Sequence, residues 1–200
     1  MTDLATFIRL GFGHITDLEA MDHILFLLAL AAIYRPGDWR KALWVVSAFT
    51  VGHSITLALA VTGAVRMPTS LIEFLIPVTI LVTCIENILV RDWQRDRLGL
   101  RYRPVLAGVF GLVHGAGFAN YLRDVFAGPI AVPLSGFNVG IELGQIVVLT
   151  ISACLLVAGD QLIALGGRIH VVSTLRVRTM AVSTVILIVA ARWAVERNPW

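Results

Sequence analysis

Gly13-His14-Ile15-Thr16-Asp17-Leu18-Glu19-Ala20-Met21-Asp22-His23 runs straight into Ile24-Leu25-Phe26-Leu27-Leu28-Ala29-Leu30. Five ionisable side chains stand at the front of a segment that is otherwise hydrocarbon. The apolar remainder, Ile24 to Ile33, has ten residues. A helix rising 1.5 Å per residue needs ~20 residues to cross a bilayer core of about 30 Å. A spanning helix here must therefore begin near His14 and carry Glu19, Asp22 and His23 into the membrane. Each such charge costs about 3 kcal/mol or more unless it pairs, binds a cation or faces water.

The rest of the chain agrees with a membrane setting. Of its 200 residues, 58% are hydrophobic and 14% charged, and the mean hydropathy is +0.84. This composition excludes a soluble domain and describes one all-α, polytopic membrane domain over residues 1–200. The pI near 9.3 does not indicate nucleic acid, because the arginines are dispersed between apolar segments. Cys84 and Cys154 both fall in apolar runs and read as small buried hydrophobes. Thr2 to Phe12 suits a short interfacial helix carrying Leu4, Phe7, Ile8 and Phe12.

Six spans follow from the apolar runs, at 14–34, 42–63, 70–90, 104–122, 138–158 and 178–195, or seven if one segment is re-entrant. Arg91 to Arg103 forms a connector with five arginines, and Arg123 to Phe137, with Gly128-Pro129 and Pro133, reads as an irregular loop. Gly159 to Val177 is polar enough to leave the membrane, although Leu162 to Leu165 extend the fifth helix in one reading. The first, third and fifth connectors, with Arg178 at the border of the last span, hold eleven of the 16 Lys and Arg residues. By the positive-inside rule those connectors are cytoplasmic and both termini lie outside. Trp39, Trp44, Trp93 and Trp193 stand near span ends, as an interfacial belt requires.

The polar residues within spans are the functional candidates. On a helical projection Glu19, Asp22 and His23 share one face, with His14 to its side. Imidazole plus carboxylate suits zinc, nickel, cobalt or iron(II), and a bound cation would offset buried negative charge. The bland alternative is that Asp22 only orients a histidine. In the second span Ser47, Thr50 and Ser54 share a narrow face beside His53. Ser54 is an interhelical hydrogen-bonding residue or, in a sharper reading, a nucleophile; adjacent Ser and His do not face each other on a helix. His114 sits among Gly108, Gly111, Gly115 and Gly117. Gly136, Gly140 and Gly144 form a close-packing stripe on the fifth span, and Asn138, Glu142 and Gln145 cluster on the roughly opposite face. Glu86-Asn87 lies near the inner end of the third span, either as a way-station or paired with Arg91 or Arg95.

Asp22-His23 before Ile-Leu-Phe-Leu-Leu, Phe49-Thr50-x-x-His53-Ser54-x-Thr56-Leu57, Glu86-Asn87, Gly111-Leu112-Val113-His114-Gly115-x-Gly117-Phe118-Ala119 and Phe137-Asn138-x-Gly140-x-Glu142-x-Gly144-Gln145 together resemble the HupE/UreJ family of bacterial membrane proteins. Members are usually described as nickel or cobalt permeases associated with hydrogenase and urease maturation. The resemblance implies an inner-membrane location and metal handling at Asp22, His23, His53, His114 and Glu142; His14, Glu19, Asn138, Gln145 and Glu86 are supporting candidates by their place in or beside the spans. It does not carry over to His14, which stands eight residues before Asp22 rather than six, while Ala20 replaces the family's glycine.

Two functions follow as expectations. The first is a permease that replaces part of the hydration shell of Ni, Co or Zn with intramembrane ligands; with so few helices, a homo-oligomer is expected to accompany it. The second is an intramembrane zinc hydrolase acting on a lipid or lipid-linked substrate from the outer side, with Glu142 or Asp22 as base and Ser54 in attendance. A third reading is structural: an assembly factor whose buried polar groups only pair with each other.

Overall fold

The computed structural model describes residues 4–18, 21–90, 99–125, 130–165 and 171–200. The described residues form seven α-helices: α1 (Leu4–Thr16), α2 (Met21–Ala31), α3 (Trp39–Val61), α4 (Thr69–Leu89), α5 (Gly99–Val125), α6 (Ala131–Leu165) and α7 (Val171–Glu196). A single 3-10 turn, Pro36–Asp38, leads into α3. Helices α3, α4, α6 and α7 are long and apolar enough to cross a membrane. The protein is a polytopic helical membrane protein.

The expected single helix over 14–34 is instead two. The helix ends at Thr16, whose hydroxyl donates to the Phe12 carbonyl at 2.9 Å, and Asp17 and Leu18 stand outside it. The first helix also begins ten residues earlier than expected, because Phe7, Gly11 and Ile15 form an apolar seam buried in the bundle. α1 lies along the first part of α6, with Leu4 at Gly136, Ile8 at Gly140 and Ile15 at Gly144. The end of α2 lies beside the next stretch of α6, where Ala31 and Tyr34 share a crevice with Leu149, Ala153 and Leu156. The two short helices therefore follow one another, parallel to α6, as one interrupted rod.

Glycine decides which helices touch. A β-carbon at Gly11 would lie 2.0 Å from the Phe137 carbonyl oxygen, and one at Gly140 would lie 2.1 Å from that of Ile8. The same occurs between α3 and α5, where β-carbons at Gly52 and Gly111 would meet the Gly108 and Phe49 carbonyl oxygens at 2.0 and 2.1 Å. Backbone rests on backbone in both pairs, the small-residue packing that membrane helices use when apolar burial gives no drive to associate. α4 and α7 run antiparallel, with Asn87 against Ser183 and Phe74 against Trp200.

Three expectations about connectors are corrected. Residues 131–137 are helical: Pro133 is the third residue of α6, where a missing N–H has no intrahelical partner to lose. Arg103 lies in α5 and is 2% exposed, not in a cytoplasmic loop. Arg176 and Arg178 lie in α7 and cap other helices. Arg176 donates to the Asn87, Ile88 and Val90 carbonyls at the end of α4. Arg178 donates to the Ala32 and Tyr34 carbonyls after α2, and to Asp160. Helix C-termini present orphan carbonyls at the negative end of the dipole, so these cations satisfy backbone rather than face solvent. Cys84 is buried as expected, whereas Cys154 is exposed on α6. The 91–98 connector, with Arg91 and Arg95, lies outside the described residues.

Candidate metal centre

The histidines meet at the interruption between α1 and α2. His14 is in the last turn of α1 and His23 in the first turn of α2, with ring centroids 4.7 Å apart. His53 of α3 comes within 6.0 Å of His14 and 6.5 Å of His23, and His114 of α5 within 5.1 Å of His23. His14, His23 and His53 each offer a ring nitrogen such that all three lie within 4.8 Å of one another. Glycine makes this possible: a β-carbon at Gly115 would stand 2.2 Å from the His53 carbonyl oxygen. Only a bare backbone beside His114 lets α5 ride this closely on α3. Phe26, Phe49 and Phe137 pack around the rings as an apolar wall.

The hydrogen bonds around the cluster leave lone pairs aimed into it. Nδ1 of His23 donates to Oδ1 of Asp22 at 3.0 Å, while its buried Nε2 has no hydrogen-bond partner. This is the carboxylate–imidazole arrangement that fixes a tautomer and raises ligand basicity. Thr79 donates its one hydroxyl proton to the Ile76 carbonyl at 2.7 Å, so at 3.0 Å from Nε2 of His114 it accepts. With Nε2 of His114 facing this hydroxyl, the ring's Nδ1 is left buried and without a hydrogen-bond partner. His53 is 0% exposed and neither ring nitrogen has a hydrogen-bond partner. Buried polar atoms are nearly always paired; four such nitrogens on three histidines of one cluster are the chemistry of a cation site.

A cavity of about 350 Å³ reaches the cluster from one end of the bundle, lined by His14, Asp22, His23 and His114 together with Thr69, Glu73 and Arg197. Arg197 stands 3.9 Å from Oδ2 of Asp22. Glu73 and Arg197 had no role in the sequence reading, since one lies near the start of a span and the other beyond the end of one. Thr79 was missed too, although its four-residue spacing to Thr83 and from there to Asn87 is visible in α4.

The other candidates are distributed as follows. Asp22, His23, His53, His114 and His14 come together. Glu142 does not: its side chain is exposed on α6, while its neighbours Asn138 and Gln145 turn inward. Oδ1 of Asn138 is buried without a partner, and Gln145 accepts from the Thr50 hydroxyl at 2.9 Å. Glu86 lies at the far end of α4, paired with Arg103 at 3.2 Å. Ser54 donates to the Thr50 carbonyl at 2.7 Å, which ties its hydroxyl to its own helix. Glu19 lies outside the described residues.

No curated protein and no solved structure matches the chain. The family model described as HupE / UreJ protein matches residues 1–197, nearly the whole length. The chain belongs to the HupE / UreJ family.

Proposed function

We propose that the protein is a divalent-metal permease of the nickel and cobalt type, in which His14, His23, His53 and His114 bind the ion in transit. Asp22 holds His23 in its ligating tautomer and supplies a negative charge beside the site. The observation that carries this reading is His53, wholly buried with two unpartnered ring nitrogens. A buried orphan of this kind costs about 1–3 kcal/mol, a cost that an ion shared with His14 and His23 removes. The family's association with nickel and cobalt transport points the same way. Imidazole nitrogens select borderline transition metals such as Ni, Co and Zn over Mg or Ca, which take oxygen ligands.

In this reading the chain crosses the bacterial inner membrane six times, the first crossing being the interrupted α1–α2 rod. Helices broken at the binding site are a recurring device of transporters. The cavity holding Glu73 opens outside, with both termini, an orientation that the Lys and Arg excess of the other end supports. Glu73 and Asp22 attract the cation, which sheds water as it meets the histidines. The hydrolase reading has less support: of its two candidate bases, Glu142 is exposed and does not line the cavity and Asp22 is engaged by His23, while its candidate nucleophile Ser54 is bound to backbone.

The test is uptake of Ni²⁺, Co²⁺, Zn²⁺ and Mg²⁺ into proteoliposomes. Uptake of one or more of the first three, strongly reduced in His23→Ala and His53→Leu, is expected. Transport unaffected by both substitutions would overturn the assignment.

A further inference from the structure

The histidine cluster opens to one end of the bundle, and the sequence left open how an ion would reach the other. α4 supplies a continuous polar face in that direction. Thr79, bonded to His114, is followed at four-residue steps by Thr83 and Asn87, which are 5%, 1% and 0% exposed respectively. Eight residues of helix carry this face about 12 Å from the cluster. Both threonines donate their protons to their own helix, Thr79 to Ile76 and Thr83 to Thr79 at 2.9 Å. A hydroxyl whose proton is so committed presents lone pairs outward, the group a passing cation needs.

The face ends at a lock. Asn87 donates its amide to the Ala29 carbonyl at 2.8 Å and to the Ser183 hydroxyl at 3.1 Å, and accepts from the Arg103 guanidinium. Arg103, with a side chain 1% exposed, pairs with Glu86 at 3.2 Å, and Glu86 also accepts from the Tyr102 hydroxyl. A buried guanidinium in this position repels a divalent ion and occupies the carboxylate and amide oxygens that would otherwise receive it. The expense of burying an arginine–carboxylate pair is hard to explain as adhesion alone, since Asn87 already ties α4 to α2 and α7.

We propose that the Thr79–Thr83–Asn87 face is the inner leg of the ion's route and that the Arg103–Glu86 pair is its inner gate. This inference rests on the permease reading. The structure holds the outer cavity open and the gate shut. When Arg103 leaves, Glu86 and the Asn87 side-chain oxygen become an oxygen-rich exit site, weaker for a borderline metal than the imidazoles, so the ion moves on.

The test combines Ni²⁺ affinity and Ni²⁺ uptake measured on the same preparations, with thiol labelling. Thr83→Val keeps shape and removes the lone pairs. It is expected to bind Ni²⁺ within twofold of the unsubstituted protein and to transport at least tenfold more slowly. Thr83→Cys, in a background carrying Cys84→Ala and Cys154→Ala, is expected to resist a charged methanethiosulfonate reagent and to react once Arg103→Gln is added. Normal uptake by Thr83→Val, or a Thr83→Cys thiol that stays silent beside Arg103→Gln in folded protein, overturns the route while leaving the histidine site standing. If Arg103→Gln does not fold, the Thr83→Val comparison decides alone. An unsubstituted protein that neither binds nor moves Ni²⁺ overturns both proposals.

Discussion

Replacing His53 by leucine separates a ligand from a packing residue through the sign of two stability changes. His53 is wholly buried, and its ring nitrogens find no hydrogen-bond partner. A neutral imidazole there strands a donor and an acceptor, and each stranded group costs about 1–3 kcal/mol. Leucine has a similar volume and no polar atoms, so the cost disappears, offset by a shape penalty below about 1.5 kcal/mol. We expect metal-free His53→Leu to be more stable than the parent by about 0.5–6 kcal/mol, a rise of roughly 1–24 °C in Tm for a chain of this size. Metal has the opposite consequence. Ni²⁺ at a hundredfold excess over its Kd stabilises a protein by about 2.7 kcal/mol, and that gain should fall by more than half in the variant. The assay is thermal unfolding in detergent, after chelation and again with Ni²⁺ added. A His53→Leu protein that melts lower than the parent after chelation, yet gains as much from Ni²⁺, would show that His53 is a satisfied core residue and not a ligand.

Four further outcomes are expected. Asp22→Asn should fold normally and lose about 10–100-fold in Ni²⁺ affinity, as second-layer substitutions at metal sites do, measured by equilibrium dialysis. Glu142→Gln should leave Ni²⁺ affinity unchanged within twofold, because its side chain is exposed and does not line the cavity; a tenfold loss would return Glu142 to the ion. Gly140→Ala should abolish monodisperse protein on size-exclusion chromatography, since its β-carbon would meet the Ile8 oxygen at 2.1 Å and the Phe12 nitrogen at 2.7 Å. Gly13→Ala, with nothing within 4 Å of the added carbon, should instead be neutral or raise stability by up to about 1 kcal/mol through helix propensity.

What the chain disclosed before its fold was known follows from which signals are local. Apolar runs of span length located α3, α4, α6 and α7, and the glycine repeats named the faces that touch. The convergence of His23, His53 and His114 was legible because charged and imidazole groups in hydrocarbon demand a common purpose. The interruption at residues 17–18 was not, since a ten-residue apolar run reaches span length only by extension backwards through His14. α1 hides its own seam, with just Phe7, Gly11 and Ile15 buried, and that concealed the place of His14. Glu142 was grouped with Asn138 and Gln145 by helical projection. It lies about 40° and 60° from them, enough to put it on the exposed flank while they turn inward. Arg103, Arg176 and Arg178 looked like loop charges because nothing in sequence tells a solvated arginine from one that finds carbonyls across a bundle.

The backbone-on-backbone contact of α3 with α5 has a mechanical corollary. With carbonyl oxygens seated against bare α-carbons, the two helices have no compressible layer between them and can neither roll nor slide independently. His53 and His114 are therefore mounted on one stiff plate, while His14 and His23 ride on the two short rods of the interrupted crossing. In the permease reading, the stroke that loosens the ion is a shift of rods against plate, about the break where α1 ends at Thr16.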